Sequence, residues 1–107
     1  MAYADLILCK GFGNRSGKLG QAKASGQMLD VDEASKAHSA LVDQYQANGQ
    51  TNQEWNVISI GGCNFELNSV NSGLALDVDG GEKTSGADID QYTNNGNAWQ
   101  QWEFVAP

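Results

Sequence analysis

The sequence predicts an all-β fold built from a structural unit that the chain contains twice. Three observations predict it. Residues 25–57 align with residues 72–104 at a shift of 47 without a gap, and 15 of the 33 positions are identical. The one proline is the last residue, while Gly, Asn, Ser and Asp clusters separate short apolar runs. Those runs alternate with the two-residue period of a strand.

The first 24 residues are an atypical segment. "DLILCK" (5–10) reads as a lone strand, and "KLGQAKA" (18–24) aligns with "FELNSVN" (65–71) but carries only Leu19 as a large apolar residue. Repeat one, residues 25–60, offers "MLDVD", "ALVDQY" and "EWNVISI" as strands. Repeat two, residues 61–107, offers four strands: "FELNSV" (65–70), "LALDVD" (74–79), "ADIDQY" (87–92) and "QQWEFV" (100–105). In "FELNSV" Phe65, Leu67 and Ser69 share one face. "LALDVD" places Leu74, Leu76 and Val78 on one face and Ala75, Asp77 and Asp79 on the other. Residues 33–47 hold good helix formers, but the equivalent "GEKTSGADIDQYTN" breaks a helix with Gly86 and β-branched residues. Two copies of one unit should fold alike, so a strand is expected in both. A chain of 107 residues suffices for one domain, 1–107, and is too short for two ordinary ones.

Composition excludes several classes of partner. The net charge is −7 with only six Lys and Arg, and no basic cluster or aromatic-basic stripe occurs. Nucleic acid and anionic membranes are therefore poor partners. The longest apolar stretch, Leu6-Ile7-Leu8-Cys9, is far too short to span a bilayer. Met1 to Cys9 lacks a positive n-region and carries Asp5, so it does not read as a signal peptide. The chain either stays in the cytosol or is a module exported by a signal outside this sequence. Cys9 and Cys63 cannot form a metal site alone; they either pair or stay as two thiols.

No enzyme is expected. There is no nucleophile elbow, HExxH or phosphate loop, and "GFGNRSG" (11–17) has the wrong spacing for a dinucleotide fingerprint. Two acids can hydrolyse a glycoside, but the pairs here are duplicated on shallow strand positions, which suits repeated binding. The run Asp77, Asp79, Glu82, Asp88, Asp90 hints at calcium, yet Gly81 falls at the fifth loop position and the bidentate glutamate is missing. Neither a metal nor a cofactor is expected. His38 is single, sits in a polar loop and reads as a solvated side chain.

Each copy orders its motifs the same way: a "LDV" strand, a segment ending in Tyr45 or Tyr92, then Asn48-Gly49 or Asn95-Gly96, then Gln53-x-Trp55 or Gln100-x-Trp102. This ordered set resembles the ricin-B-type β-trefoil lectins and the similar carbohydrate-binding modules of bacterial glycoside hydrolases. The resemblance covers about 80 residues, from Ser25 to the end. It implies a β-trefoil of three four-stranded units around a pseudo-threefold axis. It implies that Trp55 and Trp102 are core and that the Gln of each motif braces the local backbone. It also implies a shallow sugar site in each unit, formed by the second and third strands and the loop after them.

The residue chemistry suits that site. A pyranose has an apolar C–H face and a rim of hydroxyls, so it is bound by a flat aromatic and by a carboxylate that accepts from adjacent hydroxyls. Amides add a donor and an acceptor together. In the first repeat Asp30 would take a hydroxyl pair, Tyr45 would stack, and Asp43, Asn52 and Gln53 would fix orientation. In the second, Asp77, Tyr92, Asp90 and Gln100 match. The family often has Gln where this chain has Asp43 and Asp90, and Trp where it has Tyr45 and Tyr92. Trp99 stands where the family has Asn, and is either a second stacking platform, a plug or a contact for another chain. The structural alternatives are that Asp30 and Asp77 cap turns, and that Asn48-Gly49 and Asn95-Gly96 are turns with positive φ.

Two units leave the third missing, degenerate or supplied by another chain, so a homo-oligomer is expected if the chain is complete. The functional expectation is non-catalytic binding of galactose-, xylose- or mannose-type glycans, with an extracellular location implied by the resemblance. The alternatives are a scaffold for protein–protein contact with degenerate sugar sites, or an accessory module of a glycoside hydrolase.

Overall fold

The computed structural model describes residues 24–103. Seven strands follow in order: β1 Met28–Val31, β2 Val42–Tyr45, β3 Trp55–Gly61, β4 Asn64–Ser69, β5 Ala75–Val78, β6 Ile89–Tyr92 and β7 Trp102–Glu103. β1 and β2 form an antiparallel pair, and β3-β4-β5-β6 form a second sheet in which β7 also pairs with β4. The lone strand expected at 5–10, the segment up to residue 23, and the end of "QQWEFV" lie outside the described residues.

The 47-residue period is physical. β1 and β5 begin 47 residues apart, as do β2 and β6, β3 and β7, and the short 3-10 turns at Asp32–Ala34 and Asp79–Gly81 and at Thr51–Gln53 and Ala98–Gln100. Residues 33–47 form strand β2 and no α-helix, as the second copy predicts. The strand is shorter than "ALVDQY", as β6 is shorter than "ADIDQY", and Ala40 and Leu41 pair with Gln91 and Asp90 of the second unit.

The core follows from the inward face of each strand. Val31, Trp55, Val57, Phe65, Leu67 and Leu76 form one buried cluster, with Leu29, Ala40, Val42, Ile89 and Trp102 packed around it. Trp55 is fully buried and Trp102 partly so. Each indole N–H donates to a backbone carbonyl 26 residues back, Trp55 to Leu29 at 3.2 Å and Trp102 to Leu76 at 3.1 Å. Such a bond lets a buried indole satisfy its one polar group.

β5 buries residues of both its faces, since Ala75, Leu76 and Asp77 are all buried. β5 faces the core on one side and floors a cleft on the other. The Asn-Gly turns place only the glycines at positive φ, +76° at both Gly49 and Gly96. The asparagines act through their side chains, Asn48 Oδ1 accepting from the Gln50 N–H and Asn95 Oδ1 from the Asn97 N–H, each at 2.9 Å. Cys63 is disulfide-bonded; Cys9, the other cysteine of the sequence, lies outside the described residues. Among the described residues no helix is long and apolar enough to cross a membrane.

Candidate functional site

The sequence places one acid on the first strand of each hairpin and one on the second. The register sets them face to face: Asp30 opposite Asp43 across β1–β2, and Asp77 opposite Asp90 across β5–β6. Beside each pair lies a cleft, of about 290 Å³ in the first unit and about 280 Å³ in the second.

The first cleft brings together Asp30, Tyr45 and Asn52 from the expected set, and adds Asp32, Glu33 and Asn48. Asp30 is buried and its Oδ2 accepts from Asn52 Nδ2 at 3.2 Å and from Gln53 Nε2 at 2.8 Å. Gln53 does not line the cleft. It lies beneath Asp30, with Nε2 also donating to the Gln46 carbonyl at 2.9 Å and Oε1 accepting from the Asn48 N–H at 3.0 Å. Its amide is consumed inside the protein, and it acts by orienting Asp30. Asp43 is exposed and stands outside the cleft. Partial burial, with the charges of Asp30 and Asp32, raises its carboxyl above the ordinary range.

The second cleft gathers Asp77, Asp90, Tyr92 and Trp99, together with Asp79 and Asn95. Gln100 repeats the role of Gln53. It is fully buried, donates to Asp77 Oδ2 at 2.8 Å and to the Thr93 carbonyl at 2.9 Å, and accepts from the Asn95 N–H at 2.9 Å. Asp77 therefore receives one amide where Asp30 receives two, because Trp99 has replaced the asparagine. Asp90 is only 2% exposed, and its Oδ1 is buried with no donor in reach. Burial, then a hydrogen bond with Asp77 and the charges of Asp77 and Asp79, pushes its pKa up to about 7. A carboxyl so placed keeps its proton and shares it with its neighbours.

Trp99 does not plug this cleft. It forms one wall, 38% exposed, with its ring over Gly81. The loop at 79–81 has a left-handed pair, Gly80 at φ +63° and Gly81 at +68°, and the first unit takes the same shape with Glu33 and Ala34 at +56° and +53°. Gly81 leaves the space that the indole fills. Tyr92 stands at the rim, and His38 of the first unit meets its ring edge-on at 5.3 Å. His38 is exposed, as its polar loop suggests, and adds this ring contact. Its neighbour is 54 residues away, so no local pattern could reveal the contact. Asp32 and Asp79 were legible in principle, since both belong to the duplicated "LDVD". Among the described residues no group of three His, Cys, Asp or Glu side chains could hold a metal ion.

The comparisons with known proteins agree with this architecture. The family model described as a ricin-type beta-trefoil lectin domain-like family matches residues 13–92 and 58–107. Among solved structures, the designed threefold symmetric protein ThreeFoil is 39% identical, with a TM-score of 0.76 over 77% of this chain and 59% of its own. An exo-beta-1,3-galactanase from Clostridium thermocellum is 32% identical, with a TM-score of 0.77 over 79% of this chain and 18% of its own. This chain thus spans about three fifths of the first protein and under a fifth of the second. A mosquitocidal holotoxin, 21% identical with a TM-score of 0.70, shares the fold. No curated protein matches by sequence. With strands and turns that recur at a 47-residue period, paired Gln-x-Trp motifs and a family model covering most of its length, the chain belongs to the ricin-type beta-trefoil lectin domain-like family and has the β-trefoil fold.

Proposed function

We propose that the chain is a non-catalytic carbohydrate-binding domain with one sugar site in each cleft. The observation that carries this reading is the duplicated construction: a buried carboxylate, held from below by a glutamine amide, faces an open cleft edged by an exposed tyrosine. Asp30 and Asp77 are the carboxylates that accept from ligand hydroxyls. Tyr45 and Tyr92 supply the flat face for a pyranose ring, with Trp99 as a second platform in the second cleft. Galactose-containing glycans come first among the candidates, because one of the similar structures is a galactanase. That similarity covers a small part of the galactanase, which also supports a role as an accessory module beside a catalytic domain.

One shallow site gives a Kd of about a millimolar, and several sites on one body raise apparent affinity by roughly 10²–10⁴ on a multivalent glycan. The chain further represents two units of a three-unit ring, since it matches 59% of a protein described as threefold symmetric. A glycan array tests the sugar reading. Asp30→Asn with Asp77→Asn, which leave the buried Gln53 and Gln100 amides an acceptor, should abolish binding. Absence of binding to any glycan at high protein loading would remove the proposal.

A further inference from the structure

The two clefts share a plan but differ in how their acids are answered. In the first, Asp30 is the one buried carboxylate, and two amides donate to it, Asn52 Nδ2 at 3.2 Å and Gln53 Nε2 at 2.8 Å. Asp43, opposite it on the hairpin, is exposed and outside the cleft. In the second, Asp77 and Asp90 are both buried, at 3% and 2% exposed, and both line the cleft. Gln100 Nε2 donates to Asp77 Oδ2 at 2.8 Å, but Trp99 stands where Asn52 supplies the second amide. Asp90 Oδ1 is left buried with no donor.

A buried carboxylate pair short of donors needs a proton or a cation. Within the protein a proton serves, held by Asp90 and shared with Asp77. Among the described residues no Lys, Arg or His side chain lines the cleft, and no group of acids could hold a metal ion.

The walls indicate which cation the cleft would take from outside. Tyr92 and Trp99 both line it, and both are partly exposed. Aromatic faces attract an ammonium group, tryptophan most of all. Asp79, exposed on the 79–81 turn, adds a third carboxylate to the same cleft. An ammonium carries three N–H donors and no acceptor, so one such group answers several carboxylate oxygens at once. The first cleft lacks this combination. It has one ring, Tyr45, its buried acid is already served by two amides, and its other acids, Asp32 and Glu33, are exposed to water.

We propose that the second cleft selects an amino sugar: a hexosamine whose free ammonium sits among the carboxylates of Asp77, Asp79 and Asp90 and whose ring lies against Tyr92 and Trp99. The inference rests on the sugar reading of the clefts and names the ligand class of one of them. The ammonium takes the place of the proton that Asp77 and Asp90 share, and that proton leaves to solvent. The charged groups facing Asp90 are Asp77 on β5 and Asp79 on the turn after it, while the first unit brings apolar Leu41 beside it. His38 of the first unit meets Tyr92 and Thr93. An N-acetylated sugar carries a neutral amide at the same position and gains none of this attraction.

Titration of the whole chain with the amino, neutral and N-acetylamino forms of galactose, glucose and mannose tests this. At about pH 6 and constant ionic strength the amino sugars carry their charge. The signal is the indole N–H of Trp99 by NMR, since the indoles of Trp55 and Trp102 are bonded to the Leu29 and Leu76 carbonyls. At least one amino sugar should bind with a Kd at least about tenfold below those of its neutral and N-acetylamino forms. Its binding should release about one proton per chain, read by calorimetry as heat that depends on the buffer, and the neutral sugar should release none.

Two variants locate the effect. Asp79→Asn removes a charge and keeps the backbone bonds of the turn, from the Asp79 N–H to the Asp88 carbonyl and from the Glu82 N–H to the Asp79 carbonyl. It should lower the preference for the amino sugar at least about threefold. Trp99→Asn restores the residue of the first unit and should remove most of that preference, read from the Tyr92 ring signals. Equal affinity for amino and neutral sugars at the second cleft overturns the inference and leaves the sugar reading standing. A preference that both variants leave unchanged overturns it too. Binding of none of these sugars at about 100 mM overturns both readings. Methylammonium chloride separates the ammonium from the sugar. It should bind at least about tenfold more weakly than the amino sugar, and equal binding would assign the cleft to simple amines and overturn the inference.

Discussion

The ring of Trp99 rests on Gly81 so closely that a Cβ added there would lie 2.7 Å from Cε3. The exchange of Asn52 for Trp99 between the two units is therefore matched by an exchange of Ala34 for Gly81. Gly81→Ala should displace the indole and strain a residue at φ +68°, costing about 1–3 kcal/mol. Urea unfolding would report the stability, and calorimetry on a bound glycan should show the number of sites per chain fall from two to one.

The reciprocal change should stabilise. Ala34 holds φ +53°, a conformation that suits glycine, and it is exposed. Ala34→Gly should raise stability by up to about 1 kcal/mol, because relief of strain outweighs the added freedom of the unfolded chain. A lower denaturation midpoint would show that the left-handed pair Glu33-Ala34 is not strained.

Asp90 makes stability depend on pH. In the folded chain it keeps its proton up to about 7, whereas its ordinary value is 3.8. Between those values Asp90 binds more protons in the folded state than in the unfolded state, so the stability it contributes is fully present below about 4 and is lost as pH rises to about 7. Asp90→Asn offers an uncharged group with an N–H donor in place of the shared proton. It should flatten that slope and be the more stable form at pH 8. Urea midpoints of both proteins at pH 4, 5.5, 7 and 8 are the check, and an unchanged slope in the variant would assign it to another group.

Gln53→Ala should weaken the first site without touching the ligand. It removes a donor from buried Asp30, another from the Gln46 carbonyl and an acceptor from Asn48. The expected loss is about 1–3 kcal/mol of stability. Sugar affinity at the first cleft should drop while the second cleft, built on Gln100, keeps its own. Equal loss at both clefts would mean a global effect rather than a local one.

Much of this was legible because the repeat is written in residues whose roles are local. Gln-x-Trp recurs 47 residues on, and the tryptophans and glutamines do take equivalent bonds in both units. The strand in 42–45 could be inferred only by comparing copies, since its own stretch is rich in helix formers. The left-handed turn was visible as Gly80-Gly81 in the second unit and hidden as Glu33-Ala34 in the first.

By itself the sequence determined the all-β class and the duplicated unit, and its resemblance to the ricin-B-type lectins implied the buried tryptophan of the first unit and the acids that flank the clefts. Those features depend on spacing and side-chain type within one unit. The tertiary structure decided which glutamines face inward, how His38 meets Tyr92, and why identical aspartates differ. Asp43 and Asp90 sit in the same "DQY", opposite the same "LDV" acid, yet one is exposed and the other buried. Asp90 has Leu41 of the preceding unit beside it, and Asp43 has no such bridge among the described residues. Burial, and with it the proton affinity of a carboxyl, is set by neighbours that arrive from a distant part of the chain, and no local reading can supply them.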